Sequence, residues 1–353
     1  MRRLLLANLK INQPDEKEEA KMKKLVVLSL ALLLVVASLA GCQNQKQDNQ
    51  VQPGDEKEQV TVLLDWLPNT NHTGLYVAQD KGYYAEEGLN VKIMQPSEGG
   101  TAQLIAAGQG DFGVSYQEEM TVARSKDIPV VALAAVVQHN TSGFASPVAK
   151  NIKTPKDFEG KTYGGWGSPA ETAMLKALME KYDADFSKLN MVNVGSADFF
   201  TSMERDIDFE WIYWGWTGIE AQLRDMDLNF IKLRDEHEAL DFYTPVLITS
   251  EKTVQSNPDL VKKFMRATSK GYQYAINNPD DAAQVLLKKV PELNKDLVME
   301  SQRYLADEYQ SDAPRWGEMK TEVWKKYADF MFANQLINKN IDASKAFTNQ
   351  FLP

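Results

Sequence analysis

The sequence predicts an α/β protein built as two lobes around a central cleft. Three observations lead there. From Val60 on, apolar runs of strand length alternate with helical segments, and such alternation with helices of ~10–15 residues is the rhythm of parallel strands joined by helical crossovers. That rhythm breaks at "NTSGFASPVAK", 140–150, and then restarts as a second α/β run. From 257 the chain turns mostly helical, and two α/β units with a helical tail fit two lobes facing one cleft.

In the first run, "VTVLLDW" (60–66) reads as a strand and 72–88 as one helix closed by Gly88. A strand at 90–95, a helix at 100–110 and a strand at 111–116 follow. A helix at 118–126 and the strand "PVVALAAVVQ" complete the run. In the second run, helix 154–160, strand 161–166 and helix 169–182 come first, with Ser168 a fitting N-cap and Pro169 at the first helical position. Strand 189–194, helix 196–206, strand 209–214, helix 217–226 and strand 229–233 come next. "FYTPVLITSEKTV" (242–254) adds a last strand.

Charge and cysteine narrow the function classes. The 353 residues carry 49 acids against 39 bases, a net charge of −10. An acidic chain without a sustained Lys/Arg block makes a poor partner for nucleic acid. Cys42 is the only cysteine and the three histidines are scattered, so neither a disulfide framework nor a metal site is expected. There is no phosphate-loop motif of the G-x-x-x-x-G-K-[ST] type, so no ATP hydrolysis by that route.

The N-terminus carries an address. Lys21, Lys23 and Lys24 precede the apolar run 25–40, which ends at Leu39-Ala40-Gly41-Cys42. The run has the length of a signal-peptide core and is short for a span of ~20 residues. The four-residue ending resembles a bacterial lipobox, which implies lipidation of Cys42 and an extracytoplasmic, membrane-anchored protein. A complete signal peptide starts at Met22, so translation is expected to begin there. The expected organisation is a signal peptide at 1–41, a polar tether at 42–59, a first lobe at 60–145 and a second lobe at 146–242. The chain then returns to the first lobe at 243–353.

Ligands of open α/β sheets sit beyond the carboxyl ends of the strands. Those ends carry the unusual residues here: Trp66, Asn69 and His72 on one loop, Tyr116 and Glu118 on another. Trp166 and Glu171 follow in "GGWGSPAET", and Tyr213, Trp216 and Glu220 lie in "WIYWGWTGIE". Each has a plainer alternative: first-turn acids favoured by the helix dipole, a helix cap, or core packing. Strand alternation sends Trp211 and Tyr213 to one face and Trp214 to the other, so at least one large ring should join the core. Trp216, past the strand end between Gly215 and Gly218, is the better cleft candidate. Segments 65–76, 95–101, 115–119, 164–172 and 211–220 contain acids, among them Asp65, Glu98 and Glu119, but no Lys or Arg. Anionic ligands usually recruit such cations or a free helix N-terminus. Aromatic faces with amides and carboxylates suit instead a flat, uncharged or weakly basic heteroaromatic.

The stretches "LLDWLPNTNHTGLYVAQDKGYYAEEGLNV", "GDFGVSYQEE" and "WGSPAE" resemble the substrate-binding lipoproteins of bacterial ABC transporters for thiamine pyrimidine precursors. The resemblance covers the chain from about Val60 to its end, and the D-W-x-P-N-T-N-H loop is its most specific part. It implies a type II periplasmic-binding fold that closes by hinge motion. It also implies N-formyl-4-amino-5-aminomethyl-2-methylpyrimidine as ligand, no cofactor, and an ABC permease with its ATPase subunits as partners. On that basis the ring is expected between Trp66, Tyr213 and Trp216, with polar edges at Asn69, His72 and the carboxylates of Glu118, Glu171 or Glu220. Fungal pyrimidine synthases share the fold and give the rival reading of an enzyme. They resemble this chain around Y-Y-x-E-x-G-L but carry a cysteine cluster that it lacks. A third reading is a binding protein for another flat heteroaromatic or a sulfonate.

Overall fold

The computed structural model describes residues 57–95, 100–195 and 197–353. The expected signal peptide, Cys42, most of the expected tether and Glu98 lie outside the described residues. Glu58 and Gln59, assigned above to the tether, already open the first strand.

Ten strands among the described residues make two five-stranded sheets. They are β1 (Glu58–Leu63), β2 (Leu89–Met94), β3 (Phe112–Ser115), β4 (Val130–Ala135) and β5 (Ser142–Pro147). The rest are β6 (Thr162–Gly165), β7 (Asn190–Asn193), β8 (Phe209–Tyr213), β9 (Leu228–Lys232) and β10 (Val246–Ser250). The first sheet has the order β2-β1-β3-β10-β4 and the second β7-β6-β8-β5-β9. This is the two-lobed α/β architecture, with one correction. The sheets are mixed, not parallel: β10 runs antiparallel to β3 and β4, and β5 antiparallel to β8 and β9. Each antiparallel strand is the one laid down just after the chain crosses between lobes, at 136–141 and 233–245. The first crossing therefore precedes the boundary expected at 145.

β5 is the strand that the pattern hid. Its sequence "SGFASP" has one large apolar residue, yet five of its six positions are buried. At Gly143 a Cβ would stand 2.3 Å from the carbonyl oxygen of Ile231, so the close approach of β9 requires glycine there.

Helices α1 (Thr73–Asp80), α2 (Thr101–Ala106), α3 (Gln117–Ser125) and α4 (Pro169–Lys181) follow strands β1, β2, β3 and β6. The helix expected over 72–88 ends at Asp80, because Gly82 adopts φ 80° before the short turn Tyr83–Glu86. α5 (Pro258–Asn277) is amphipathic and lays Phe264 flat on Phe112, with ring centroids 3.8 Å apart. In the second lobe Phe158 stacks on Phe209 at 4.2 Å, and Phe144 meets both edge-on. α6 (Lys295–Gln310) buries Val298, Leu305 and Tyr309 in the first lobe's core. α7 (Thr321–Ala333) gives Trp324 to a first-lobe cluster and Tyr327 and Met331 to the second lobe's core, so it spans the junction.

Candidate functional site

The first wall is the loop after β1. Asn69 caps the turn Thr70–His72, its side chain accepting from the Asn71 amide at 2.9 Å. His72 closes the same turn. Its Nδ1 accepts from the Asn69 amide at 3.1 Å, which leaves the proton on Nε2 to be donated to Asp65 at 2.7 Å. With both nitrogens engaged and no exposed surface, His72 holds the loop after β1. Two tyrosines brace the loop from the core: Tyr272 OH donates to Asn71 O at 2.7 Å and Tyr309 OH to Thr70 O at 2.5 Å. Trp66 and Leu67 stand out from this loop, 53% and 55% exposed.

The step from β3 into α3 adds carboxylates. Glu119 is occupied, accepting from Ser115 Oγ at 2.5 Å and from the Ala102 amide at 3.2 Å. Glu118, one residue earlier, has a buried Oε2 with no partner among the described residues. Burial, reinforced by the charge of Glu119, pushes its carboxyl up to about 8. Tyr116 and Tyr213 are raised above the ordinary tyrosine range, first by burial and then by nearby carboxylates that include Glu118 and Asp65. Tyr327 is raised in the same way, by burial and then by Glu118. The two lobes thus bring Asp65, Tyr116, Glu118, Tyr213 and Tyr327 into one electrostatic cluster.

The second wall is less open to ligand than the sequence implied. Glu171 is fully buried, with Oε1 accepting from Tyr163 OH at 2.7 Å and the Trp166 amide at 3.2 Å, and Oε2 from the Ser168 amide at 2.8 Å. This carboxylate builds the 166–168 loop through these contacts. Glu171→Ala would strand three donors. An expected loss of about 2–4 kcal/mol in unfolding free energy follows, to be read by chemical denaturation. Trp166 is 49% exposed and leans on Trp211, whose ring joins the second lobe's core through Phe144. Glu220 pairs with Arg224 one helical turn on, at 2.6 Å, so its carboxylate is also committed locally.

β8 ends in a π-helical turn, Trp214–Gly218, where the sequence suggested direct entry into a helix. Such turns are rare and frequent at functional sites. At Gly215 a Cβ would come within 2.9 Å of Leu305 on α6, so glycine lets the turn close onto the first lobe. Trp214 turns away onto Phe230, at 4.8 Å, while Trp216 points back and packs against the first lobe's core.

Between the walls lies a narrow recess of about 10 Å³, lined by Asn69, Thr70, Asn71, Thr141, Tyr213, Gly215, Trp216, Thr244 and Leu305. Its lining includes no lysine or arginine. A wider recess on the far side of the first lobe, beside Lys270 and Arg315, is away from the strand ends. Both of its cations are paired, Lys270 with Glu86 and Arg315 with Glu318. Of the residues named from sequence, Asn69, Tyr213 and Trp216 meet in the interlobe recess, and Tyr116 and Glu118 lie in the adjoining cluster. Trp66 and Trp166 are exposed rings on opposite walls. Sequence reasoning missed Thr141, Thr244 and Leu305. The first two sit on or beside the crossings, a place that only the fold reveals.

Comparison with known proteins decides the family. The NMT1/THI5-like family model matches residues 69–282. The chain belongs to the NMT1/THI5-like family. It is 30% identical to the formylaminopyrimidine-binding protein of Halalkalibacterium halodurans over 336 residues, 93% of this chain and 99% of that one. It is similar also to the 4-amino-5-hydroxymethyl-2-methylpyrimidine phosphate synthase of Legionella pneumophila, 26% identical over 84% of this chain and 93% of that one. The riboflavin-binding protein of Chloroflexus aurantiacus is 25% identical, over 94% of this chain and 99% of that one. Among solved structures, the alkanesulfonate-binding protein of Xanthomonas axonopodis pv. citri superposes with a TM-score of 0.64 at 14% identity, over 83% of this chain and 99% of that one. The fold of this NMT1/THI5-like chain is therefore that of the periplasmic binding proteins.

Proposed function

We propose that the protein is the extracytoplasmic binding component of an ABC importer and captures N-formyl-4-amino-5-aminomethyl-2-methylpyrimidine for thiamine salvage. The observation that carries this reading is the unpartnered, buried Oε2 of Glu118 among Tyr116, Tyr213 and Tyr327, next to an aromatic recess lined by no cation. A neutral carboxyl offers one donor and one acceptor side by side. An aminopyrimidine edge offers the complementary pair, an exocyclic amino group beside a ring nitrogen. The ring would lie against Trp216 and Tyr213, with Asn69 reaching its short arm. Trp66 and Trp166 would cover it from opposite walls. Ligand bridging both lobes would favour the closed form, and the closed protein would dock on a permease whose ATPase subunits drive transport. Cys42 would carry the lipid that anchors the protein outside the cell membrane.

The similarity to a pyrimidine phosphate synthase keeps the enzyme reading in view. Among the described residues of the cleft, His72 and Glu119 are both committed to hydrogen bonds within the protein, and a protonated Glu118 is no base at neutral pH, which favours binding over catalysis. The test is a titration followed by thermal shift and tryptophan fluorescence, comparing the formylaminopyrimidine with riboflavin, thiamine and taurine. Stabilisation of about 2.7 kcal/mol at a hundredfold excess over Kd is expected for the pyrimidine. A response to riboflavin or taurine alone would replace the proposed ligand.

A further inference from the structure

We propose that Ser301 is a positioning residue that latches the two lobes together and so sets how long ligand is retained, without touching the ligand itself. This rests on the binding-protein reading given above. Ser301 lies on α6, fully buried, and its Oγ is 2.6 Å from Thr70 Oγ1. It also donates to the carbonyl oxygen of Gly215 in the π-helical turn after β8. That carbonyl can only accept, so the Ser301 proton goes to it. The Thr70 hydroxyl must then donate to Ser301, and the chain has one direction: Thr70 to Ser301 to Gly215.

The three residues belong to different parts of the molecule. Thr70 sits between Asn69 and Asn71 on the first wall of the recess, and Gly215 beside Trp216 on the second. The same helical face continues the grip. Leu305, four residues on, packs against Gly215, and Tyr309, eight residues on, donates to Thr70 O. The geometry of the recess thus depends on a hydroxyl relay behind it. A contact that reaches across the lobes favours the closed form over the open one, and only such differential contacts shift the equilibrium.

The experiment uses Ser301→Ala, Thr70→Val and the double variant in the full chain, with the formylaminopyrimidine as probe. Stopped-flow tryptophan fluorescence should show dissociation about five- to tenfold faster in Ser301→Ala, the usual effect of one lost hydrogen bond. The association rate should change by less than about twofold, since interface changes act mostly on dissociation. The double variant should be no worse than the more damaging single one, because both break the same relay. Additive effects, or an unchanged dissociation rate, would overturn the proposal. Hydrogen exchange without ligand separates the latch from the ligand assignment. Ser301→Ala should speed exchange in 69–72 and 214–219 together and leave the rest of α6 unchanged. If wild type binds none of the pyrimidines, the functional reading fails while this exchange still decides the latch. Exchange unchanged in the two loops, or raised along the whole of α6, would overturn it.

Discussion

Glu118→Ala is expected to remove high-affinity pyrimidine binding, whereas Glu118→Gln keeps binding at neutral pH and loses its pH dependence. The reason is the protonation state of the buried carboxyl. Burial first, and the charge of Glu119 second, hold Glu118 up to about 8, so at neutral pH it carries its proton. A glutamine side chain presents the same donor and acceptor side by side, and alanine presents neither. Loss of two hydrogen bonds in a buried site amounts to about 2–3 kcal/mol, or roughly 30- to 150-fold in Kd. In wild type, affinity should fall as pH rises through about 8, where the donor is lost. Stability has its own sign. From the ordinary 4.5 up to about 8 the unfolded chain has released this proton while the folded chain keeps it. Folding is therefore favoured less as pH rises across that window, and the loss levels off above it. Glu119 and Glu210 are also raised by burial and contribute slopes of the same sign, so the comparison between wild type and Glu118→Gln isolates one residue. The variant should melt several degrees higher than wild type near pH 8 and almost equally near pH 4.5. Isothermal titration and thermal melts across that range check both halves.

The fold was largely legible because periodicity reports burial: strands buried on one or both faces and amphipathic helices leave repeating marks. β5 left none, since small residues in close approach to β9 carry little hydrophobic signal. The sheet direction was missed with it, because the antiparallel strands β5 and β10 follow crossings between lobes rather than local turns. For the site, the rule of strand ends led to loops that the structure brings together around the recess, but not to the roles within them. A carboxylate near a helix start looks the same in sequence whether it meets a ligand, as proposed for Glu118, or closes its own loop, as Glu171 does. The pairing of Glu220 with Arg224 was readable in principle from the i,i+4 spacing. The link of Thr70 to Ser301, 231 residues apart, was not, because nothing local to either residue encodes the other.

The three tryptophans within six positions make the second large prediction, since the structure gives them three different settings. Trp211 leans into the second lobe's core beside Phe144, Trp214 rests on Phe230, and Trp216 alone of the three lines the recess. Trp214→Ala should therefore lower stability and leave Kd within about twofold, as for a change that spares the contact surface. Trp216→Ala should do both. Its ring is half-buried against the first lobe's core, so unfolding free energy should fall by about 2 kcal/mol, less than for a fully buried tryptophan. Affinity should fall about 10- to 100-fold as the stacking face is lost. Trp216→Phe separates the ring from its signal: a phenyl face still stacks, so most affinity remains, but the ligand-induced fluorescence change disappears. Retention of that change in Trp216→Phe would move the aromatic wall to Trp66 or Trp166, the exposed indoles on the two sides of the cleft.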